Sequence, residues 1–499
     1  MKRSVFTLIL TAALIKVNAQ APDTRLDSFY TTLANEGRLN GNVLVSEKGQ
    51  IVYQHSFGYA DFENKRLNTP ETAFQLASLS KPFTAIAVLQ LADKEKLNLD
   101  ENVSRYLPSF PYPTMTISQL LSHSSGLSDQ ELGRSLADYE KQLGHRHNNA
   151  ELLQFLAERK LKAKLSPGEK WWYCNLGYEV LADLVEKVSG ETFGEYIRKN
   201  ITVPAGMKHT YLLLLPGDRQ SYQARNYDYP KRYSAERQRV DQTGMDYTER
   251  AFGHSNIVST CQDLFKLSEA FFAGKLVQPT TVKRALTGTS LANGQPNAVW
   301  LNIGGLGTTV DGLGWFIFTG EAMKDQVFHA GGMSGAVTIL LHDIKKQQTV
   351  IILDNTGSEA IYKNAQNGLR ILNDQPVQYT KRNLARLYVR RLMAGGTDAA
   401  ASLLLANEAD TAHFLLPESD MNSLGYALLE DQYRVQALEV FKMNCLLFPG
   451  SDNAFNSYAE ALEQSGQVKL AEEMYDRSVQ LNRANEGSQK ALKRLRSGR

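Results

Sequence analysis

The sequence predicts an α+β fold, an antiparallel sheet flanked by helices, followed by an α-helical repeat region. Two observations predict it. From about residue 24 to 375 strand-like runs lie at both ends and helix-like stretches between them, so the terminal strands are expected to meet in one sheet. Beyond that point the text takes on a 34-residue period.

The first strands are read at Gly41 to Asp61. Val43-Leu44-Val45 and Ile51-Val52-Tyr53 flank a Glu47-Lys48-Gly49-Gln50 turn, the pattern of a hairpin. Ser80 to Leu97 reads as one helix, with Phe83, Ile86, Ala87, Leu89 and Leu91 apolar and a breakdown at Lys96. A second helix spans Leu176 to Ser189 and stops at Gly190. Ala336 to His342 and Thr349 to Asp354, joined by Lys345-Lys346-Gln347-Gln348, form a late hairpin. Asp218 to Arg250 is polar, tyrosine-rich and unpatterned, and is expected as a long surface excursion near a site.

In the C-terminal part Leu424, Gly425, Ala437, Phe441 and Pro449 recur 34 residues later as Tyr458, Ala459, Ala471, Tyr475 and Arg483. Small residues where helices cross, with an aromatic four positions after the alanine, resemble the tetratricopeptide repeat. Two repeats fit, at 418–451 and 452–485, and residues 381–410 are expected to add a further helical pair because short stacks are unstable. The competing reading is a plain helical cap. The domain plan is a leader at 1–19, a globular unit at 20–375, a helical linker at 376–417 and helical repeats at 418–490.

Composition narrows function. Apolar residues make up 42% and charged residues 22% of 499, an ordinary globular balance, and 55 basic side chains stand against 53 acidic ones. A nucleic-acid or polybasic membrane surface is therefore set aside. Lys2 and Arg3, the apolar run Val5 to Ile15 and the small-residue end Val17-Asn18-Ala19 read as a cleaved signal peptide, with an uncleaved anchor as the alternative. The run is too short for a span of about 20 apolar residues, so no membrane span is expected after cleavage, and the protein is expected to be periplasmic or secreted. Cys174, Cys261 and Cys445 are too few and too scattered for a disulfide framework or a zinc cluster.

Three short stretches carry chemistry. Ser78-Leu79-Ser80-Lys81 opens a helix and places serine and lysine on one face. The lysine can then polarise the hydroxyl or, as free amine, accept its proton. Taken alone the pattern equally describes a helix cap and a surface lysine. Tyr173-Cys174-Asn175 supplies a phenol that can shuttle a proton and an amide that can orient lysine and substrate. A phenol of ordinary pKa, about 10, must sit beside a cation such as Lys81 to ionise near neutrality. His329-Ala330-Gly331-Gly332, between two strand-like runs, lets a backbone N–H face a bound carbonyl. A glycine bulge beside a structural histidine is its plain alternative.

All three occur in one chain, in this order, 95 and 156 residues apart. The set resembles the serine β-lactamase/penicillin-binding-protein superfamily, in the branch holding class C β-lactamases, D-aminopeptidases, carboxypeptidases and esterases. Ile117-Ser118-Gln119-Leu120-Leu121-Ser122-His123-Ser124-Ser125-Gly126-Leu127, Asn175-Leu176-Gly177-Tyr178 and Ser259-Thr260 with Asp263-Leu264 add to the resemblance, which covers residues 24–375. It implies a β-lactamase/transpeptidase-like fold with an all-helical subdomain and the serine between the two parts. Ser78 would be the nucleophile and Lys81 with Tyr173 the proton-transfer pair, the formal base left open. Asn175 would orient Lys81 and the substrate amide, and the backbone N–H groups of Ser78 and Gly332, beside Gly331, would hold the oxyanion. No cofactor or metal is implied.

His329 stands where many β-lactamases of this resemblance carry lysine. A neutral imidazole replaces a permanent cation, so uncharged esters or amides are expected to be favoured over carboxylate-bearing β-lactams. Activity on carboxylates is expected to rise toward pH 6 as the imidazole gains a proton. The expected substrates are small amides, D-amino-acid peptides or esters, with a protein partner for the repeats. The rival is a penicillin-recognising binding or scaffold protein, acylated at Ser78 without efficient turnover. His145-Arg146-His147 as metal ligands is weaker than a polar loop between helices. Cys174 is a packing residue rather than a nucleophile. Trp171 and Trp172 are open between cleft wall and core.

Overall fold

The computed structural model describes residues 22–214, 216–240 and 251–497. The proposed leader at 1–19 lies outside the described residues.

Eight strands form one sheet: β1 (Gly41–Glu47), β2 (Gln50–Phe57), β3 (Ala298–Val299), β4 (Thr309–Asp311), β5 (Phe316–Phe318), β6 (Gln326–Met333), β7 (Ala336–Asp343) and β8 (Gln348–Asp354). Their order is β3-β4-β5-β6-β7-β8-β1-β2, antiparallel throughout. The expected meeting of terminal strands is the β1–β8 pair, with Val43 opposite Ile352 and Val45 opposite Val350. Both predicted hairpins form. At the first, Lys48 and Gly49 both have positive φ (50° and 74°), the backbone a two-residue turn needs to match the twist of its strands.

Strands β1 and β8 are buried on both faces, which is why their sequences read as continuous apolar runs rather than alternating ones. Helices Pro22–Asn35 and Ile361–Leu372 cover one face through Leu26, Tyr30, Leu33, Ile361 and Leu369, packed on Val43, Val45, Val350 and Ile352. The other face holds the largest core, built on helix Lys81–Asp93 with Phe83, Ile86 and Leu89, against helix Asn175–Ser189 and the helices between them. Helix Lys81–Asp93 is shorter than the predicted Ser80–Leu97, because Glu95 takes a positive φ that breaks the helix.

The stretch expected as a surface excursion is not wholly superficial. Gln223, Ala224, Asn226 and Tyr227 are buried. Asp228 accepts hydrogen bonds from Ser334 Oγ and Gly335 N, so this segment braces the β6–β7 turn.

The C-terminal part is helical. Helices Glu418–Glu430 and Arg434–Leu447 are followed by Asp452–Gln464 and Val468–Leu481, each bound recurring 34 residues on. A side chain at Gly425 would strike the Phe441 ring at 2.7 Å, which accounts for a small residue at that crossing. Leu384–Asn407 is interrupted at Gly396 (φ 77°, ψ −177°), giving two helical segments. This region docks on the sheet domain through Tyr233, which is buried in its core and donates to Asp431.

Candidate active site

Ser78 sits in the single 3₁₀ turn Ala77–Ser80, which runs into helix Lys81–Asp93. Ala77 just before it has φ 49°, a left-handed conformation that costs a residue with a Cβ and turns the serine outward. The turn is fixed from three sides. Leu76 N donates to Ile257 O at 2.9 Å, and Ser80 Oγ accepts from Ile257 N at 3.1 Å. Thr338 Oγ1 of β7 donates to Leu76 O at 2.7 Å. A Cβ at Gly331 would lie 2.0 Å from that same carbonyl oxygen, so only glycine lets β6 approach the turn this closely.

The helical spacing brings Lys81 Nζ to 3.2 Å from Ser78 Oγ. Lys81 is fully buried (0% exposed), which a charged side chain tolerates only with polar partners. Its Nζ donates to Asn175 Oδ1 at 2.7 Å and to His254 O at 3.2 Å. The His254 carbonyl is held there because Thr84 Oγ1, one helical turn past Lys81, donates to Gly253 O at 2.6 Å. Tyr173 OH donates to Ser78 Oγ at 2.8 Å, and Lys81 Nζ lies 4.8 Å from the centre of the Tyr173 ring.

The structure therefore gathers Ser78, Lys81, Tyr173 and Asn175 into one constellation. Ser78, Asn175, Gly332, Met333, His254 and Ser255 line a cleft of about 180 Å³. Tyr362 OH donates to Gly331 O at 2.8 Å. In a trans peptide the following N–H points the opposite way, so the Gly332 N–H is turned from Tyr362. A larger cavity of about 700 Å³, walled by Leu306, Met323 and Gln366, shares no residue with this cleft and holds no paired nucleophile and base.

Two expectations are corrected here. Lys81 does not draw the Tyr173 phenol toward neutrality. Burial raises its pKa well above the ordinary value, outweighing the lowering by Ser78, and Asp129 and Asp311 raise it further. His329 is not a titratable cation facing solvent. It is 2% exposed, its Nδ1 lies 3.0 Å from Ala330 O, and Phe316 packs against its ring. Burial, with the Lys81 charge second, brings its pKa down to about 3. The imidazole is neutral at pH 6, and the expected gain on carboxylates there loses its cause.

Sequence reasoning missed Asp129. It stands at the start of helix Asp129–Leu143, where an acidic residue after Ser128 reads as ordinary capping. Its carboxylate accepts from Asn175 N (2.8 Å), Asn175 Nδ2 (2.9 Å), Leu176 N (3.1 Å) and Cys174 Sγ (3.0 Å). By taking the Asn175 NH2 it turns Oδ1 toward Lys81. His123, quoted only within a longer stretch, packs its ring 4.3 Å from Tyr173, and its Nδ1 accepts from Cys174 N at 3.2 Å. Burial first and Lys81 second lower its pKa far below the usual value, so it works as a neutral wall and acceptor.

Cys174 is buried and donates to Asp129, and burial pushes its thiol pKa far up, against nucleophilic use. His145, Arg146 and His147 lie in the loop between helices Asp129–Leu143 and Asn149–Arg159. His147 bridges Glu140 (2.8 Å) and Glu179 (2.9 Å). Burial opposes its charge, but the bonds to these two carboxylates prevail and raise its pKa to about 9. Trp171 is core, donating Nε1 to Asp311 at 2.7 Å, and Trp172 packs on Trp300 outside the Ser78 cleft.

An eight-stranded antiparallel sheet with a helical part and an S-x-x-K serine at their junction defines a β-lactamase/transpeptidase-like, serine-hydrolase-like fold. The chain belongs to the Beta-lactamase family, whose family model matches residues 26–371. Penicillin-binding protein 4* of Bacillus subtilis (strain 168) is 32% identical over 347 residues, covering 68% of this chain and 73% of that protein. Among solved structures, a class C beta-lactamase superposes with a TM-score of 0.56 at 18% identity, over 72% of this chain and 99% of its own. The D-amino acid amidase from Ochrobactrum anthropi SV3, complexed with L-phenylalanine, does so with a TM-score of 0.55 at 20% identity, over 71% and 98%. Among the described residues no helix is long and apolar enough to cross a membrane.

Proposed function

We propose that the protein is an extracytoplasmic serine hydrolase that acts through an acyl-enzyme on Ser78, on small esters, amides or D-amino-acid peptides. The observation that carries this reading is one oxygen with two partners: Ser78 Oγ lies 2.8 Å from Tyr173 OH and 3.2 Å from Lys81 Nζ. Ser78 Oγ attacks the substrate carbonyl, and its proton passes to Lys81 as free amine. The Tyr173 phenol, held protonated by burial, is suited to donating to the leaving group rather than to accepting first. The C–O or C–N bond then breaks, leaving the acyl group on Ser78, and the Lys81 ammonium returns its proton to Tyr173. Water, giving a proton to Lys81, then attacks the acyl carbonyl, and that proton passes to Ser78 Oγ as the acid leaves. The N–H groups of Ser78 and Gly332 receive the developing oxyanion. Asn175 orients Lys81 and, with its remaining capacity, the substrate.

With a neutral buried His329, the cleft offers no imidazolium to a substrate carboxylate. Uncharged esters and amides are thus the preferred class over penicillins. The 34-residue recurrence of helix bounds supports a tetratricopeptide-like repeat at 418–490 that docks a protein partner. The apolar run at Val5 to Ile15 supports a leader and a periplasmic or secreted site of action.

The test is intact-mass spectrometry over time with an ester, a D-peptide amide and a penicillin. A transient adduct on Ser78, absent from Ser78→Ala, is expected with the first two. An adduct that never clears with any substrate would make the protein an acylated binder, and turnover by Ser78→Ala would overturn the mechanism.

A further inference from the structure

A third cavity, of about 360 Å³, lies where the helical region docks on the sheet domain, remote from Ser78 in its lining residues. Arg38, Arg232, Arg237, Arg382, Arg386 and Arg390 line it, contributed by separate stretches of both parts of the chain. Lys381 brings the lining to seven cationic side chains against three carboxylates, so the cavity carries a strong excess of positive charge.

The carboxylates do not neutralise it. Glu36 pairs with Arg38 at 3.1 Å and Glu359 with Arg386 at 2.5 Å. Asp228 is taken up by Ser334 Oγ and by the N–H groups of Gly335 and Tyr229. Among the described residues no carboxylate lies within 4 Å of Arg232, Arg237, Arg382 or Arg390. Two of these are nonetheless held in place. The Tyr229 ring carries the Arg390 guanidinium 3.4 Å from its centre and that of Arg237 at 4.7 Å, and Arg390 Nε also donates to Arg232 O at 3.1 Å.

The local sequence works against itself here. Asn383, Arg386, Leu387 and Arg390 share one face of helix Leu384–Asn407, and that face lines the cavity. Two arginines four apart repel each other, and the first turn of a helix favours anions over cations. Burial lowers the pKa of both Arg390 and Arg382, and this is offset only in part by Tyr229 and Glu359 for the first and by Glu36 and Glu359 for the second. Local rules broken together, with three carboxylates against seven cations, mark a binding site rather than a packing solution.

We propose that this cavity binds a small molecule bearing a phosphoryl group and at least two negative charges. Guanidinium forks match phosphate oxygens, and arginines approaching from several segments suit a tetrahedral group better than a planar carboxylate. The binding site joins the two parts of the chain, so its ligand ties the helical region to the hydrolase domain.

The test is calorimetric and thermal-shift titration of the full chain with sodium pyrophosphate at constant ionic strength, with acetate and citrate alongside. Saturable binding and a raised Tm are expected with pyrophosphate, weaker binding with citrate and none with acetate. Arg390→Gln should weaken pyrophosphate binding at least about tenfold, the loss of one charge-assisted hydrogen bond. Arg232→Gln should do likewise; its side chain is exposed, so this variant tests the site without disturbing the docking. No saturable binding by wild type, or binding as tight as wild type by both variants, overturns the site. Citrate binding as tight as pyrophosphate overturns the phosphoryl assignment.

Discussion

Asp129→Asn is the substitution that most directly tests how the cleft is held. The carboxylate accepts four hydrogen bonds, two on each oxygen, all from the start of helix Asn175–Ser189. An amide of the same shape can present one oxygen, and its NH2 then faces two donors. Two charge-assisted bonds are lost, each worth about 1.5–3 kcal/mol, or about 3–6 kcal/mol in all. At about 2 °C per kcal/mol for a large domain, Tm should fall by about 6–12 °C. Placed at the Oδ2 position, the NH2 faces Asn175 N and Nδ2, and the Asn175 side chain, released, no longer presents Oδ1 to Lys81 at 2.7 Å. Losing that one bond corresponds to about a tenfold to hundredfold fall in kcat, since each 1.36 kcal/mol is a factor of ten. A thermal melt and ester-hydrolysis kinetics at a temperature where the variant is folded measure both. Because Asp129 acts through Asn175 and Lys81, kcat should fall more than KM rises. A variant with wild-type kcat would show that Asn175 is positioned by something else. An unchanged Tm would show that the carboxylate's bonds contribute nothing net.

Three further outcomes follow from the geometry. Tyr173→Phe removes the 2.8 Å partner of Ser78 and should lower single-turnover acylation by roughly 10²–10⁴, with substrate affinity little changed. Normal acylation would make the phenol a wall residue. Between pH 8 and pH 5 the ratio of kcat/KM for a cephalosporin to that for an ester should show no rise attributable to His329, whose folded pKa of about 3 lies below this window. The same depression means that this histidine's contribution to stability is whole above its unfolded pKa of about 6.5 and is lost as pH falls toward 3. A melting series should show that loss at acid pH, and a rise in cephalosporin preference toward pH 6 would contradict the assignment. A chain ending at residue 380 should keep ester hydrolysis, because Ser78, Lys81, Tyr173 and Gly332 precede that point, but melt lower. It uncovers Tyr233 and removes Arg390 from the Tyr229 ring. A folded truncated protein without activity would place part of the cleft in the helices.

The features legible in the sequence were those with a short-range physical signature. Lys48-Gly49 between apolar runs announces its hairpin, because few residue pairs tolerate two positive φ angles in succession. Ser78 and Lys81 are one helical turn apart, so their meeting is written in their spacing. Asp129 lies 46 residues from Asn175, and nothing local separates a capping carboxylate from one that reaches another helix. The direction of the Tyr173 shift was unreadable for a different reason. Nearness to Lys81 was foreseeable, but the cost of burying the phenoxide depends on every layer around it. The buried part of 223–228 was hidden because its tyrosine and asparagine side chains are satisfied by distant groups, Asp61 and Gln75, rather than by a periodic pattern.

The pairing of β1 with β8 has a consequence for how the chain reaches its fold. Asn40 N donates to the Asp354 side chain across 314 residues, so the β8–β1 seam of the sheet is assembled from the two ends of the sheet domain. Until residues 348–354 have been synthesised, the β1–β2 hairpin keeps an open edge carrying Val43, Leu44 and Val45. Contacts of such long range make folding slow. An unpaired apolar edge rich in β-branched residues is also a template for intermolecular pairing. Strand β1 thus waits for β8 before both of its edges are covered, and until then it is open to pairing between chains.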